Sequence, residues 1–392
     1  MDFVFLAVGV TSPKGFSGGF KPLVEVGKRL VSRGHDLTIL TSGAGETVFR
    51  NMGLDADFWI IDPREEAAGG LIKESFTMVV RMIKAGLLLR RKRFQGETVI
   101  FAFSDLLWEV FPLLFVKGAS VIRVSSLHMT YPQPFKGYKG AFTRQLKAPS
   151  PRETLAYLQH RLALFSMRRA SDLVFAQANI WRYLLDKGIF AEQIVPFTPG
   201  IELDFIDSVT PSAGKYDACW IGRYHPMKGC EDLLGVWATV SRAREDARLA
   251  IMGNVAEKLR PLVKHGHLER NIELLGPVDD ETKFAVMKAS KLFLFPSYYE
   301  SWGHVGMEAM ACGLPVIAYD LPVYRDIYTG GMITVPIGDE EALAQEAMEL
   351  LANEEDRCRL SVEARQTAAR HEHGWDEAVE GLLARLKQVT GG

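Results

Sequence analysis

The sequence predicts two α/β domains in tandem, each built around a parallel sheet. Two observations support this prediction. Short apolar runs alternate with longer amphipathic segments. This alternation stops near residue 197 and resumes at residue 218. Alternation of this kind is typical of βα units whose sheet is covered by helices on both faces. The length of 392 residues also exceeds what one hydrophobic core usually supports.

The first half contains five apolar runs that are predicted strands. They are residues 3–10, 36–40, 99–103, 120–124 and 173–176. A helix is predicted over residues 21–33, ended by Gly34 at its C-cap. Before this helix, Gly18 and Gly19 allow a phosphate or sugar to approach the backbone closely. The turn does not match the G-x-G-x-x-G fingerprint, which disfavours a nicotinamide enzyme.

Two segments of the first half depart from this alternation. Leu71–Phe94 is a predicted helix with an apolar stripe and six cations, and no acid lies between Glu74 and Glu97. The stripe and the cations are Phe76, Val80, Ile83, Leu87 and Arg81, Lys84, Arg90, Arg91, Lys92, Arg93. Two interpretations stay open: peripheral contact with an anionic membrane, or a solvated helix packed on the sheet. Residues 128–151 are predicted to be a long functional loop.

The second half repeats the strand and helix rhythm after a predicted linker at 197–215. Its predicted strands are residues 218–221, 249–252, 272–274, 292–295 and 315–318. We therefore expect an N-terminal domain at 1–205, a second domain at 206–372 and a C-terminal helix at 373–392. A ligand is expected at the carboxyl ends of the strands, in a cleft between the two domains.

Composition excludes nucleic acid as the main partner and favours a soluble cytoplasmic protein. Lys and Arg number 46 and Asp and Glu 48, a formal net charge of −2, whereas nucleic acid requires a basic surplus. The four cysteines form no C-x-x-C pair, so we expect reduced thiols and no metal site. The N-terminal run carries Asp2 instead of basic residues and is predicted to be a strand. No apolar stretch reaches the roughly 18 residues of a membrane-spanning helix.

The strongest chemical signal is a pair of glutamates after a predicted strand. Glu300 follows the strand end, and Glu308 lies inside the next predicted helix. The turn between them should direct the N–H groups of Gly303, His304 and Val305 toward an anion, because a helix N-terminus favours negative charge. The two carboxylates are expected to accept hydrogen bonds from sugar hydroxyls. A pair of solvated helix-end acids is the alternative interpretation.

A second motif, Gly-Arg-Tyr-His-Pro-Met-Lys-Gly, begins at Gly222 directly after a predicted strand. Its Arg223 and Lys228 lie on a short loop at the strand's carboxyl end. Arginine gives a forked contact to phosphate and lysine a point charge, so together they can neutralise a diphosphate. A surface loop with two ordinary cations is the alternative interpretation.

The glutamate run resembles the E-(seven residues)-E signature of retaining glycosyltransferases of family 4 (glycosyl transferases group 1). These have the GT-B fold, two Rossmann-like domains facing across a deep cleft. The second motif resembles that family's G-R-x-x-x-x-K-G element at every fixed position. The resemblance implies that Glu300 contacts the transferred hexose, that Glu308 binds the ribose, and that Arg223 and Lys228 act on the diphosphate.

The resemblance also implies a histidine near the reactive carbon of the sugar, and His128 is the matching residue. With the residues above, the predicted donor site includes Gly18, Gly19, Gly222, Gly253, Val278 and Ser297. The first domain would then be the acceptor side, the second the donor side, and the C-terminal helix would return to the first. The sequence departs from the family where Asn254 stands in place of a second glycine, and at Trp302 and His304.

The function implied is metal-independent, retaining transfer from a nucleotide-diphosphate sugar to a hydroxyl of a sugar, glycan or lipid-linked acceptor. UDP is preferred over GDP as the donor nucleotide. No cofactor is expected, since the nucleotide sugar is a substrate, and fixed cations can replace a metal held by D-x-D. The protein would be cytoplasmic, with peripheral contact at the inner face of the membrane if Leu71–Phe94 binds there. An epimerase or phosphorylase of the same fold, or a non-catalytic sugar-nucleotide-binding protein, remains the alternative.

Overall fold

The computed structural model describes residues 1–12, 20–63, 71–94, 96–137 and 148–391. The chain divides into two compact units. The first unit comprises Met1–Pro134, Ser150–Pro199 and Gly374–Gly392, and the second comprises Phe135–Pro149 and Gly200–His373. The last segment of the chain is therefore part of the first unit.

The first unit contains a seven-stranded parallel sheet in the order β3-β2-β1-β4-β5-β6-β7. Its strands are β1 (Asp2–Ala7), β2 (Asp36–Ser42), β3 (Asp57–Asp62), β4 (Thr98–Ala102), β5 (Val121–Leu127), β6 (Leu173–Gln177) and β7 (Ile194–Phe197). Its α-helices are α1 (Lys21–Ser32), α2 (Gly43–Asn51), α3 (Leu71–Arg91), α4 (Leu107–Val110), α5 (Pro151–Ala170), α6 (Trp181–Asp186) and, at the chain's end, Gly374–Thr390. Short 3₁₀ helices lie at Phe111–Phe115, Ala178–Ile180 and Ala191–Gln193.

Two apolar layers hold the sheet of the first unit. One joins β-strand residues to α1, α2 and the C-terminal helix, whose Trp375, Val379 and Leu382 are fully buried in it. The other joins the opposite strand residues to α3 and α5, through side chains such as Ala85 and Met167. Helices therefore cover both faces, as the continuous apolar runs of the strands predict.

The second unit contains a six-stranded parallel sheet in the order β10-β9-β8-β11-β12-β13. Its strands are β8 (Tyr216–Ile221), β9 (Leu249–Met252), β10 (Ile272–Gly276), β11 (Ser290–Phe295), β12 (Val316–Tyr319) and β13 (Met332–Val335). Its α-helices are α7 (Leu203–Ser208), α8 (Cys230–Ala243), α9 (Ala256–His265), α10 (Asp280–Lys288), α11 (His304–Ala311), α12 (Tyr324–Ile327), α13 (Glu340–Ala352) and α14 (Glu354–Ala369). The C-terminal helix of the first unit, Gly374–Thr390, is called α15. A 3₁₀ helix lies at Pro226–Lys228.

The two predicted parallel sheets are confirmed, but three strands were not predicted. These are β3, β7 and β13, which lie at sheet edges. In β3 and β13 most residues are partly or fully exposed, unlike those of the buried central strands, and β7 is interrupted by Pro196. The first strand also ends earlier than predicted, at Ala7. The predicted linker at 197–215 contains helix α7, whose Leu203 and Ile206 are buried in the core of the second unit.

Helix α3 confirms the helix predicted over Leu71–Phe94 but presents a different surface. Arg81, predicted among its surface cations, is buried: its Nε donates to Asp62 Oδ2 at 3.0 Å, and its Nη1 donates to the carbonyl oxygens of Val8 and Val10. Four apolar side chains of α3 are instead exposed: Phe76, Val79, Ile83 and Leu87. Among the helices of the described residues, none combines the length and apolarity required to cross a bilayer.

Candidate active site

Two loops of the second unit leave the same edge of its sheet. One follows β8 and carries Arg223 and Lys228, and the other follows β11 and carries Glu300. Because β8 and β11 are neighbouring parallel strands, their carboxyl ends meet at one edge. The predicted cation motif and the predicted glutamate motif therefore converge although they are distant in sequence.

Lys228 and Glu300 are in direct contact. The lysine Nζ donates to Glu300 Oε1 at 2.5 Å, and Ser297 Oγ donates to the same oxygen at 2.8 Å. The carboxylate side chain is only 8% exposed, and the lysine side chain is 18% exposed. Desolvation of a carboxylate is unfavourable unless it is paired, and Lys228 and Ser297 supply this pairing. A fixed cation beside a fixed carboxylate can bind a polyhydroxylated, negatively charged ligand.

The two loops are fixed to each other by contacts that the sequence did not predict. The Tyr298 backbone N–H donates to the Met227 carbonyl at 2.8 Å. Tyr298 Oη and Tyr319 Oη both donate to Asp232 Oδ2, and Asp232 is only 2% exposed. At Gly229, φ is 60° and any side chain would overlap the carbonyl of Pro296, so only glycine permits this close approach. The sequence gives no signal for this contact, since Asp232 follows Glu231 in the first turn of α8, where acids are common at a helix N-terminus.

Helix α11 begins at this edge of the sheet, with Gly303 at its N-cap. Gly303 has φ of 86°, and its carbonyl accepts hydrogen bonds from the amides of Gly306 and Met307 and from Tyr328 Oη. The amides of His304 and Val305 precede these bonded amides, at the positive end of the helix dipole. The structure thus places the predicted anion-binding groups at a helix N-terminus.

Glu308 lies one helical turn further along α11 and is 4% exposed. Its Oε2 lies 2.9 Å from Lys283 Nζ, and the two side chains are 5% and 8% exposed. Lys283 was not predicted, because a lysine in an amphipathic helix normally faces solvent. The structure therefore adds a buried lysine–glutamate pair to the partly buried pair formed by Lys228 and Glu300.

The remaining predicted residues of the second unit lie around the same sheet edge. Arg223 is exposed, and its Nη2 lies 3.9 Å from the Met227 sulfur. The Gly253 amide donates to the Gly276 carbonyl, and a side chain at Gly253 would overlap the Gly222 carbonyl. Val278 is partly buried against the core of the second unit. Gly18 and Gly19 belong to the first unit and lie outside the described residues.

His128 belongs to the first unit and directly follows β5. Its Nε2 lies 2.9 Å from both Ser126 Oγ and the Phe103 carbonyl oxygen, and its ring stacks on Phe103. Removal from water lowers the pKa of His128 below its ordinary value. A neutral imidazole is therefore the favoured form, and the two contacts fix its orientation.

A buried acidic cluster near His128 was not predicted from the sequence. Glu109 Oε1 accepts from the Gly9 amide and its Oε2 accepts from Ser104 Oγ at 2.6 Å. Burial raises the pKa of Glu109 to about 7, against the opposing effect of these hydrogen bonds. Asp105 Oδ2 lies 3.6 Å from His160 Nδ1. Ser104, Asp105 and Glu109 follow β4 along the chain, whereas His160 lies on α5, and no motif in the sequence relates them.

Comparisons with known proteins agree with this arrangement. The family Glycosyl transferases group 1 matches residues 204–367. Phosphatidyl-myo-inositol mannosyltransferase of Mycobacterium leprae is 34% identical over 201 residues, which are 49% of this chain and 52% of that protein. The chain therefore matches about half the length of this curated relative.

Solved structures match the whole chain at low sequence identity. Sucrose-phosphate synthase of Thermosynechococcus elongatus has a TM-score of 0.74 at 15% identity and covers 100% of this chain and 99% of its own. Anabaena HepE in complex with UDP and glucose has a TM-score of 0.70 at 17% identity, covering 99% and 100%. Together with the family match, these likenesses confirm the GT-B fold predicted from the sequence. The second unit, which carries the matched residues and both motifs, therefore contains a glycosyl transferases group 1 domain.

Proposed function

We propose that the protein is a metal-independent, retaining glycosyltransferase that takes a hexose from a nucleotide-diphosphate sugar. The observation that carries this proposal is the convergence of Lys228, Glu300 and Ser297 beside the N-terminus of α11. Lys228 and the helix N-terminus supply positive charge for a diphosphate, and Glu300 supplies an acceptor for sugar hydroxyls. Such fixed charges can stabilise a leaving group without reorganising during the reaction.

In the proposed reaction, the bond between the anomeric carbon and the phosphate oxygen breaks, and the bond to the acceptor oxygen forms on the same face of the sugar. The acceptor's proton passes to the leaving phosphate. Lys228 and the first amides of α11 stabilise the diphosphate as its negative charge increases. Glu300 holds a hydroxyl of the sugar, and Glu308 holds the ribose.

Donor and acceptor identities are supported by the relatives. UDP and glucose occupy HepE, which has the same fold, and this supports a UDP-sugar donor. The mannosyltransferase relative is named for phosphatidyl-myo-inositol, and this supports a lipid-linked polyol acceptor. Both assignments are proposals for this chain.

Substituting each of the two glutamates alone tests the proposal. Glu308→Gln should weaken binding of UDP or GDP by about 10- to 100-fold, since a hydrogen bond to a charged group contributes about 1.5–3 kcal/mol. Glu300→Gln should bind the same nucleotide at least as tightly as wild type, because it removes the carboxylate that competes with phosphate for Lys228. Isothermal titration calorimetry with each diphosphate measures both effects without an acceptor.

Measurements of kcat and KM complete this test. Glu300→Gln should lower kcat more than it raises KM, because its contact strengthens at the transition state. A wild type that binds neither UDP nor GDP would contradict the proposal. Donor consumption that does not depend on an added acceptor would instead favour the epimerase alternative.

We further propose that the first unit contacts anionic membranes through α3. Phe76, Val79, Ile83 and Leu87 are exposed at 69%, 47%, 50% and 42%, along one side of the helix, and Arg90 and Arg91 lie in its last turn. Helix α5 supports this proposal because it packs into the same apolar layer and exposes three more apolar residues. These are Leu158, Leu162 and Phe165. Apolar side chains beside cations are typical of helices that lie in a membrane interface.

Vesicle sedimentation tests the membrane proposal. Replacing Arg90, Arg91 and Arg93 with Gln should lower partitioning to phosphatidylglycerol-containing vesicles about 100-fold, since each cation near an anionic surface contributes about 1 kcal/mol. The matched control replaces Lys258, Arg260 and Lys264, three exposed cations of α9 in the second unit. Equal loss in both variants, or partitioning that is insensitive to salt, would contradict a surface located on α3.

A further inference from the structure

We infer that Lys283 is a positioning residue for nucleotide binding, acting through Glu308. This inference rests on the proposed function, because it assumes that Glu308 binds the ribose. Lys283 lies on α10, and no part of the sequence motifs includes it. Its Nζ contacts Glu308 Oε2 at 2.9 Å and Asp280 Oδ1 at 2.7 Å.

The burial of this pair indicates why the Glu308 carboxylate needs Lys283 beside it. Glu308 and Lys283 are both more than nine-tenths buried, whereas the Asp280 side chain is 54% exposed. A carboxylate that is removed from water takes up a proton unless a cation or hydrogen bonds stabilise its charge. Only the ionised carboxylate accepts hydrogen bonds with both oxygens, and this is what two ribose hydroxyls require. Lys283 therefore keeps Glu308 in its binding-competent form.

Three described groups near Glu308 do not replace Lys283. Lys288 is on the same helix, but its Nζ donates to the carbonyls of Asp207 and Val209. Tyr328 Oη donates to the Gly303 carbonyl. Cys312, one turn after Glu308, has a pKa that burial raises to about 12, so its thiol stays neutral. In the described part of the chain, Lys283 is the cation in salt-bridge contact with Glu308.

The contact also fixes the direction of the carboxylate. With Oε2 held by an ammonium on a neighbouring helix, the Glu308 side chain has one orientation before the nucleotide arrives. A preoriented group loses less conformational entropy on binding than a mobile one. Lys283 itself is not required to touch the nucleotide, so its role differs from that of Lys228.

Calorimetry of Lys283→Met tests this inference, with whichever of UDP and GDP the wild type binds more tightly. At about pH 8 the variant should bind several-fold more weakly than wild type, and the deficit should grow beyond about tenfold as the pH falls to about 6. Wild type and Lys283→Arg should show no comparable pH dependence, since both keep a cation beside Glu308. Asp280→Asn is the matched control, because it removes the exposed partner of Lys283, and it should bind like wild type.

Two further variants distinguish the failure of this inference from the failure of the proposed function. If Lys283 acts through Glu308, Lys283→Met should weaken binding no further in a Glu308→Gln background. If Glu308→Gln binds weakly but Lys283→Met matches wild type at both pH values, the inference about Lys283 is wrong and the ribose assignment stands. If Glu308→Gln binds like wild type, the ribose assignment is wrong, and the role of Lys283 is wrong with it. Thermal unfolding of each variant, with Lys283→Gln as a second neutral substitution, separates lost binding from lost folding.

Discussion

Lys228→Ala should lower the rate of sugar transfer by about 10² or more, with or without EDTA in the buffer. The reason is that Lys228 is a fixed cation at the same edge of the sheet as the N-terminus of α11, where the diphosphate is proposed to bind. Its removal takes away stabilisation that increases as the leaving group gains charge. Wild-type turnover should persist in EDTA, because the charges that act on the diphosphate belong to the protein. Initial-rate measurements with the nucleotide sugar and acceptor give both the rate loss in Lys228→Ala and the wild-type rate in EDTA.

A double variant identifies the origin of the Lys228 effect. Lys228→Ala alone also leaves Glu300 without its cation, so part of the loss could come from a displaced carboxylate. If the effect of Lys228 is on the diphosphate, the Lys228→Ala/Glu300→Gln variant should stay at least as impaired as Lys228→Ala. Recovery of activity in the double variant would contradict this role. Loss of wild-type activity in EDTA that Mn²⁺ restores would contradict the metal-free mechanism.

Asp62→Asn should lower the free energy of unfolding of the first unit by about 3–5 kcal/mol, the cost of leaving one buried charge unpaired. Arg81 is 1% exposed, and Asp62 is the carboxylate that it contacts at 3.0 Å. The same arginine donates to the carbonyls of Val8 and Val10, in the segment that follows β1. Urea unfolding, with hydrogen exchange of β1 to β3 to locate the effect, measures this change.

Two comparisons make the Asp62 prediction specific. Glu46→Gln breaks the exposed Arg50–Glu46 pair of the same unit, and it should lower stability by less than about 1 kcal/mol. Replacing both members of the buried pair, as Asp62→Leu with Arg81→Met, should recover most of the stability lost in Asp62→Asn. If Asp62→Asn changes stability no more than Glu46→Gln does, the buried pair does not have the proposed role.

The sequence predicted the central strands of both sheets and the two motifs, because each depends on residues that are close together along the chain. A strand covered on both faces needs a continuous apolar run, as residues 3–7 of β1 and 292–295 of β11 provide. The contact between Lys228 and Glu300 was not predicted, because it depends on β8 and β11 being neighbouring strands of the sheet. The edge strand β13 was missed because its residues are mostly exposed or half-buried, and its short apolar run is interrupted by Thr334.

The buried polar groups could not be predicted, because their burial depends on which elements pack together. Lys283 and Asp232 each lie on a helix and would face solvent if the neighbouring helix or loop were absent. Helix α3 is the clearest case. Its periodicity predicted a helix, but that pattern alone could not show that Arg81 faces the sheet while Phe76 and Ile83 face outward. The buried partner, Asp62, lies on an edge strand that was itself not predicted.

The return of α15 to the first unit has a consequence for the order of folding during translation. Trp375, Val379, Leu382 and Leu386 are fully buried in the apolar layer formed by α1, α2 and β1. On the ribosome, that layer stays incomplete until the last residues of α15 have left the exit tunnel. The second unit, whose described helices and strands all lie between residues 203 and 369, is synthesised without interruption before that moment. The unit that is synthesised first is therefore the last to complete its core.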